Sequence, residues 1–224
     1  MKNKKGKKNK KKILKTICFL ISIILIGIYL FNLRIENIYV EGNNILTDQE
    51  IIELAGVENY PHMFKYSSKN LENKIKINPY IEKVKVKKNL FGKITFIINE
   101  HNLLLRSEID NKIYLDNGTK IASDNDIIGI PLLTNYVSTP ILNDFLKKLS
   151  VVDKNILSKI SEIAYTENEY DNDLFLFYMN DGNYVYVTTR RLLNINKYDE
   201  ILVSLDGRKG ILYLDSGNHF EIFK

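Results

Sequence analysis

Cysteine occurs once in this chain, as Cys18, and histidine only three times. A disulfide framework and a cysteine-based zinc site are therefore excluded, and three scattered histidines leave little for a histidine-based one. Catalytic motifs are missing too. There is no glycine-rich phosphate loop of the GxxxxGK type, no HExxH zinc motif and no GxSxG nucleophile elbow. Cys18 lies within an apolar run, where neither a base nor an aqueous substrate is expected. Carboxylates are numerous, and a pair of them can in principle hydrolyse a glycan. Most, however, stand in hairpin turns (Asp116, Asp181, Asp215), at helix starts (Asp48, Glu50) or on polar faces, where structural roles suffice. No enzyme activity, cofactor, metal site or small-molecule substrate is expected. Alanine is rare while isoleucine and asparagine abound, a bias that reflects codon composition and excludes nothing. With 224 residues, 45% of them apolar and 26% charged, the chain is too apolar for a disordered protein and long enough for one to three small domains.

Acidic residues are absent from the first twelve positions, which hold eight lysines. The formal net charge of +5 belongs to that tail: without it 24 basic residues face 27 acidic ones, a net charge of −3. No aromatic residues interleave the lysines and no folded domain presents them, so nucleic-acid binding is not expected. The tail runs directly into ILKTICFLISIILIGIYLFNL, of which Thr16 to Leu33 is an uncharged stretch of 18 residues. From Ile13 to Leu33 a helix rising ~1.5 Å per residue spans about 31 Å, with Lys15 able to snorkel, which crosses a bilayer. The run is longer than the apolar core of a signal peptide and ends at Tyr29-Leu30-Phe31-Asn32-Leu33-Arg34 without a small-x-small cleavage site, so an uncleaved anchor is expected. The lysines before it place the N-terminus in the cytoplasm and the following domains outside. They also favour anionic lipid headgroups.

After the anchor, Ile35 to Glu41 alternates as a strand with Ile38 and Val40 on one face, and Gly42-Asn43-Asn44 is a turn. Thr47-Asp48-Gln49-Glu50 is a capping box opening a helix with Ile51, Ile52, Leu54 and Ala55 on its apolar side, ended by Gly56. A second helix is expected over Ser68 to Ile77, where Leu71 and Ile75 stand four apart and Asn78-Pro79 stops it. Ile81–Lys88 and Lys93–Glu100 then alternate as two strands of a hairpin closed by Asn89-Leu90-Phe91-Gly92. Lys83, Lys85 and Lys87 read as its solvated face, with Ile94, Phe96 and Ile98 alternating on the other strand.

This β-α-α-β-β unit, carrying IENIYVEGNNILTDQEI and INPYIEKVKVKKNLFGKITFIINEH after a basic tail and one anchor, resembles the POTRA (polypeptide-transport-associated) domain of the FtsQ/DivIB bacterial division proteins. The strand, the Gly-Asn turn with Leu-Thr, and Asn-Pro-Tyr-Ile before the hairpin match that family. The family's Glu-Arg/Lys-x-Pro does not recur, since Glu100 is followed by His101-Asn102-Leu103. One POTRA unit with one anchor and no barrel separates the chain from outer-membrane assembly proteins.

From about Leu103 a second domain is expected. Ile113 to Ile121 reads as a hairpin with Asn117-Gly118 as a type I′ turn, and Ile130 to Leu133 is a short extended run. Helices around Ile141–Leu149 and Asp153–Leu157 lead into strands at Ile160–Tyr165, Leu174–Met179 and Tyr184–Thr188. Arg190–Leu205 reads as one helix packing Leu193, Tyr198, Ile201, Leu202 and Leu205. A last hairpin at Gly210–Leu214 and His219–Phe223 turns at Asp215-Ser216-Gly217 and ends almost at the C-terminus. The expected organisation is a basic cytoplasmic tail at 1–12, a transmembrane helix at 13–33, a POTRA domain at 34–102 and a β-domain at 103–224. The fold class is α+β: a transmembrane helix, the β-α-α-β-β unit, then a mostly antiparallel β-domain with flanking helices.

The resemblance implies a bitopic scaffold of the division septum. It would bind two small coiled-coil membrane proteins, FtsL and DivIC/FtsB, and through them regulate the septal peptidoglycan synthase formed by FtsW and a class B penicillin-binding protein. It also implies that a partner strand adds to the terminal strands of the β-domain. The candidate contacts there are Tyr213, Asp215, Phe220 and Ile222, with Arg190, Arg191 and Lys197 as a nearby basic group. The alternatives are a chaperone-like POTRA receptor for extended polypeptides and a membrane-anchored cell-wall hydrolase.

Overall fold

The computed structural model describes residues 3–123 and 129–224, with side chains described from Lys12 onward, so the side chains of the lysine tail before Lys12 lie outside the described residues. The chain divides into two compact units, Met1–Glu100 and His101–Lys224.

Helix α1 (Asn3–Asn32) opens the first unit. Its apolar part, Lys12–Asn32, is 21 residues and holds an 18-residue window of mean hydropathy 2.5, none of which is buried, so it is not a core helix. By length and composition it can cross a membrane. β1 (Asn37–Glu41), α2 (Asp48–Ala55), α3 (Ser68–Ile75), β2 (Ile81–Lys88) and β3 (Lys93–Glu100) follow. β3 is the middle of a three-stranded sheet, parallel to β1 and antiparallel to β2. Ile94, Phe96 and Ile98 point from it into a core shared with Ile51 and Ala55 of α2 and Leu71 and Ile75 of α3. The capping box is complete, Thr47 Oγ1 accepting from the Glu50 amide at 3.3 Å while the Thr47 amide donates to Glu50 Oε2 at 2.7 Å. That hydrogen bonding holds the Glu50 carboxyl below its usual range.

α3 stops at Ile75, two residues before the expected end, and Ile77 is exposed. The residue before a proline avoids helical backbone, and Asn78 instead folds into a turn in which its Oδ1 accepts from the Tyr80 amide at 3.0 Å. Lys83, Lys85 and Lys87 are exposed. Lys88 turns under the sheet and donates to the carbonyls of Met63 and Tyr66, and burial lowers its pKa. Glu100 closes the loop after β1, accepting from the amides of Asn44, Ile45 and Leu46 at 2.8, 2.7 and 2.9 Å.

Among the described residues the second unit is a nine-stranded mixed sheet covered by helices. Its elements are β4 (Leu103–Ser107), β5 (Lys112–Leu115), β6 (Lys120–Ala122), β7 (Leu132–Leu133), α4 (Thr139–Leu149), α5 (Lys154–Leu157), β8 (Ile160–Tyr165), β9 (Leu174–Met179), β10 (Tyr184–Thr188), a 3₁₀ helix at Thr189–Lys197, α6 (Tyr198–Ser204), β11 (Gly210–Tyr213) and β12 (His219–Ile222). The strand order is β12-β11-β10-β9-β8-β7-β4-β5-β6. Three neighbouring pairs are parallel, β4 with β7, β7 with β8 and β10 with β11, and the other five are antiparallel. The core packs Phe175, Phe177, Val185, Val187 and Leu212 of the sheet against Phe145, Leu149, Leu192, Ile195 and Tyr198, with the Phe145 and Phe175 rings stacked at 3.9 Å. At the start of this unit His101 Nδ1 lies 2.7 Å from Asp116 Oδ1, and the Asn102 amide donates to Asp116 Oδ2 at 2.9 Å.

Two local expectations are corrected. The Asn117-Gly118 turn is not type I′, which needs positive φ at both central residues, because Gly118 alone of the two has it (φ 81°). The Gly118 amide donates to the Leu115 carbonyl at 3.0 Å and the Leu115 amide to the Thr119 carbonyl at 2.9 Å, a three-residue loop closed by a left-handed glycine. Nor is Arg190–Leu205 one α-helix. Thr189–Lys197 is 3₁₀, in which residues three apart share a face, so Leu192, Ile195 and Tyr198 line up inward and Leu193 is left 47% exposed.

Candidate partner-binding edge

β12 is the terminal strand of the large sheet and pairs with β11 through Gly210↔Ile222, Ile211↔Glu221, Leu212↔Phe220 and Tyr213↔His219. The Phe223 amide continues this ladder by donating to the Lys209 carbonyl at 3.0 Å. Donors alternate sides along an antiparallel strand. The amides of His219 and Glu221 thus face β11, and those of Phe220 and Ile222 face the open edge. Unpaired donors and acceptors in a row are a template for a further strand.

The sheet register decides what each side chain does. Val185, Leu212 and Phe220 stand in one row across β10, β11 and β12, facing the helices, and Phe220 packs partly against the core. Tyr186, Tyr213 and His219 form the neighbouring row on the opposite face. There Tyr213 stacks on Tyr186 (5.5 Å between centroids) and on His219 (4.5 Å), and its hydroxyl donates to Glu221 Oε2 at 3.2 Å. Burial between these rings, reinforced by the Glu221 charge, raises the Tyr213 pKa. Ile222 is 46% exposed at the edge, and Asp215 is half-buried in the β11–β12 turn. The four strand and turn candidates are thus brought together on one hairpin.

The three basic residues do not form one group. Arg190 is held by Asp171 at 2.5 Å and Asp173 at 3.6 Å, beside the start of β9. Lys197 is exposed at the far end of the 3₁₀ helix, which covers about 18 Å at ~2.0 Å per residue. Its neighbour Tyr198 bonds the β9–β10 turn at the opposite end of the strands. Arg191 is exposed next to Arg190.

A buried polar network anchors β11, and nothing in the sequence pattern reveals it. Asn183, which is fully buried, accepts from the Gly210 amide at 2.9 Å and donates to Tyr198 Oη at 3.1 Å and to Asp181 Oδ2 at 3.0 Å. Tyr198 donates to Asp181 at 3.0 Å. Its sequence signal, an Asn-Asp-Gly-Asn turn, predicts a hairpin and not a buried amide. The second aromatic face is more legible: Tyr184 and Tyr186 alternate with Val185 and Val187, so β10 is apolar on both sides.

Burial raises the pKa of the Tyr198 phenol, and that of Tyr165 is pushed up to about 12, by burial first and then by Glu167. An unfolded tyrosine ionises near pH ~10. The unfolded chain therefore releases protons that the folded unit still holds, and stability falls as pH rises through about 10 to 12. Urea unfolding midpoints are expected to be flat between pH ~7 and pH ~10 and to drop above it, less steeply in Tyr198→Phe. A midpoint that stays constant above pH ~10 contradicts this account.

Among the described residues no group of three His, Cys, Asp or Glu side chains could hold a metal ion.

Residues 33–101 match the family model for the POTRA domain of FtsQ type. Cell division protein DivIB of Bacillus subtilis strain 168 is 28% identical over 232 aligned residues, covering 100% of this chain and 88% of that protein. DivIB of Listeria monocytogenes is 27% identical over 234, covering 97% and 85%, and DivIB of Brevibacillus brevis 29% over 204, covering 88% and 77%. Among solved structures, the major extracytoplasmic domain of the trans isomer of Geobacillus stearothermophilus DivIB matches with TM-score 0.41 and 22% identity, over 48% of this chain and 96% of that one.

Proposed function

We propose that this chain, a homologue of the DivIB cell division proteins with an FtsQ-type POTRA domain, works as a single-pass scaffold of the division septum. α1 anchors it with the lysine tail in the cytoplasm and both folded units outside, as the positive-inside rule favours. Its role is binding: an extended segment of an FtsL-like or DivIC/FtsB-like partner adds to β12, and the complex regulates septal peptidoglycan synthesis by an FtsW and class B penicillin-binding protein pair. The observation that carries this reading is the end position of β12, where the Phe220 and Ile222 amides face away from β11. Side chains on the two faces of the edge, Tyr213 and Glu221 on one and Phe220 and Ile222 on the other, then select the partner.

Ile222→Pro removes one of those outward donors and leaves the inward ladder to β11 intact. The variant is expected to keep its circular dichroism spectrum and lose capture of the FtsL-like and DivIC-like partners in a membrane pull-down, while Lys224→Ala keeps both. Normal capture by a folded Ile222→Pro protein would falsify this edge as the binding site and move attention to β2, an edge strand of the POTRA sheet.

A further inference from the structure

We propose that the β2–β3 turn, through Leu90 and Phe91, rests in the extracytoplasmic surface of the bilayer that α1 crosses, so that the POTRA unit is docked on lipid as well as tethered to it. This inference rests on α1 being the membrane span. The span and the unit are joined without a linker. α1 ends at Asn32, and Leu33 and Ile35 are already 7% and 3% exposed members of the core. The Met63 amide donates to the Leu33 carbonyl at 2.8 Å, and the Ile35 amide to the Pro61 carbonyl at 3.0 Å. On the other side the Glu36 amide donates to the Gly92 carbonyl at 2.8 Å. The turn that carries Phe91 is therefore braced directly against the segment that leaves the membrane.

Depth follows from length. The 21 residues Lys12–Asn32 cover about 31 Å, close to the ~30 Å hydrocarbon thickness of a bilayer. The last helical turn, with Tyr29 and Phe31, then falls at the lipid–water interface, where aromatic side chains anchor spans. The Tyr29 hydroxyl donates to the Leu90 carbonyl at 2.8 Å, which holds the turn at that same level. Phe91 lines one recess with Ile28 and Tyr29.

The turn is also chemically suited to lipid. Leu90 is 54% and Phe91 79% exposed, so both present more than half of their surface outside the protein. Polar backbone is what normally keeps a loop out of a bilayer. Here Asn89 Oδ1 accepts from the Phe91 and Lys93 amides at 2.9 and 3.0 Å, the Asn89 amide donates to the Lys93 carbonyl at 3.0 Å, and Tyr29 serves the Leu90 carbonyl. Entry into the interface gains apolar burial and strands few polar groups.

The chain has no tryptophan, so Phe91→Trp creates a sole indole in the full-length protein. The variant is reconstituted into phosphatidylcholine–phosphatidylglycerol vesicles with or without lipids brominated near the headgroup. Its emission is expected to shift to the blue and to lose roughly half its intensity to brominated lipid, as an interfacial aromatic should. Ile24→Trp, in mid-span, reports whether α1 is embedded, using deeply brominated lipid. Asn99→Trp, at the far end of β3, is the hydrated reference. A red-shifted, unquenched Phe91→Trp beside a quenched Ile24→Trp overturns the docking alone. An unquenched Ile24→Trp overturns the span and the docking with it.

Discussion

Phe96→Ala is expected to lower the stability of the first unit by about 3–5 kcal/mol, the transfer energy of the ring plus the cavity it leaves. Phe96 has no exposed surface and lies in the central strand, opposite Val40 of β1 and Val86 of β2, so collapse around the gap would have to move both flanking strands. A domain of this size has only ~5–15 kcal/mol to lose, and a loss at the upper end populates its unfolded form. Ile97→Ala, on the opposite, half-buried face, should cost much less. Hydrogen exchange on the full-length protein in detergent distinguishes the two, since protection should fall across β1 to β3 and persist in β8 to β10. Equal small effects from both substitutions would mean that the strand is shifted by one residue, which would exchange its two faces.

A comparably large effect is expected at Gly210, for a different reason. A Cβ built there meets the carbonyl oxygen of Glu221 and lies 2.8 Å from its carbonyl carbon and 2.9 Å from the Phe220 ring, so alanine collides with backbone as well as with that side chain. The amide of Gly210 is also committed to buried Asn183. Relief requires either β12 to leave the sheet or the Asn183 bond to break. Overpacking costs about 1–3 kcal/mol, and an orphaned buried amide adds about 1–3 more. Gly210→Ala should therefore release β12, lower the melting temperature and abolish partner capture. Gly217→Ala in the adjoining turn, where nothing lies within 4 Å of the new methyl, should do neither. An unchanged melting temperature for Gly210→Ala would show that β12 is not held in this register.

Release of β12 and blocking of its edge are separable. Gly210→Ala should lose partner capture together with hairpin protection, whereas Ile222→Pro should lose capture with the hairpin in place. If Gly210→Ala detaches β12 yet still captures partner, the partner does not need the strand in the sheet.

Much of the fold was written locally. The capping box at Thr47 to Glu50, the alternation in Ile81–Lys88 and Lys93–Glu100, and the apolar run before Leu33 each depend on residues a few positions apart, so propensity and period suffice to place them. Local pattern is ambiguous where two periods compete. Arg190 to Leu205 contains apolar residues at spacings of both three and four, and packing of Leu192, Ile195 and Tyr198 against the sheet chose three at its start. It is ambiguous again at Asn117-Gly118, where a single left-handed residue is enough to close the loop.

The sequence alone determined that the chain has a span-length apolar helix, an α+β body after it and little equipment for metal or nucleophile chemistry, because these are properties of composition and short spacing. It also held the resemblance that the family comparison supports for the POTRA unit. Tertiary structure alone decided which strands lie at sheet edges, since β1 pairs with β3 across 50 and more residues and β10 lies parallel to β11 across a helical crossover. It also decided that Arg190 is engaged by two aspartates and that Asn183 is buried beneath β11. Such facts depend on contacts between distant segments, whose selection is a matter of global packing, and no local pattern encodes them.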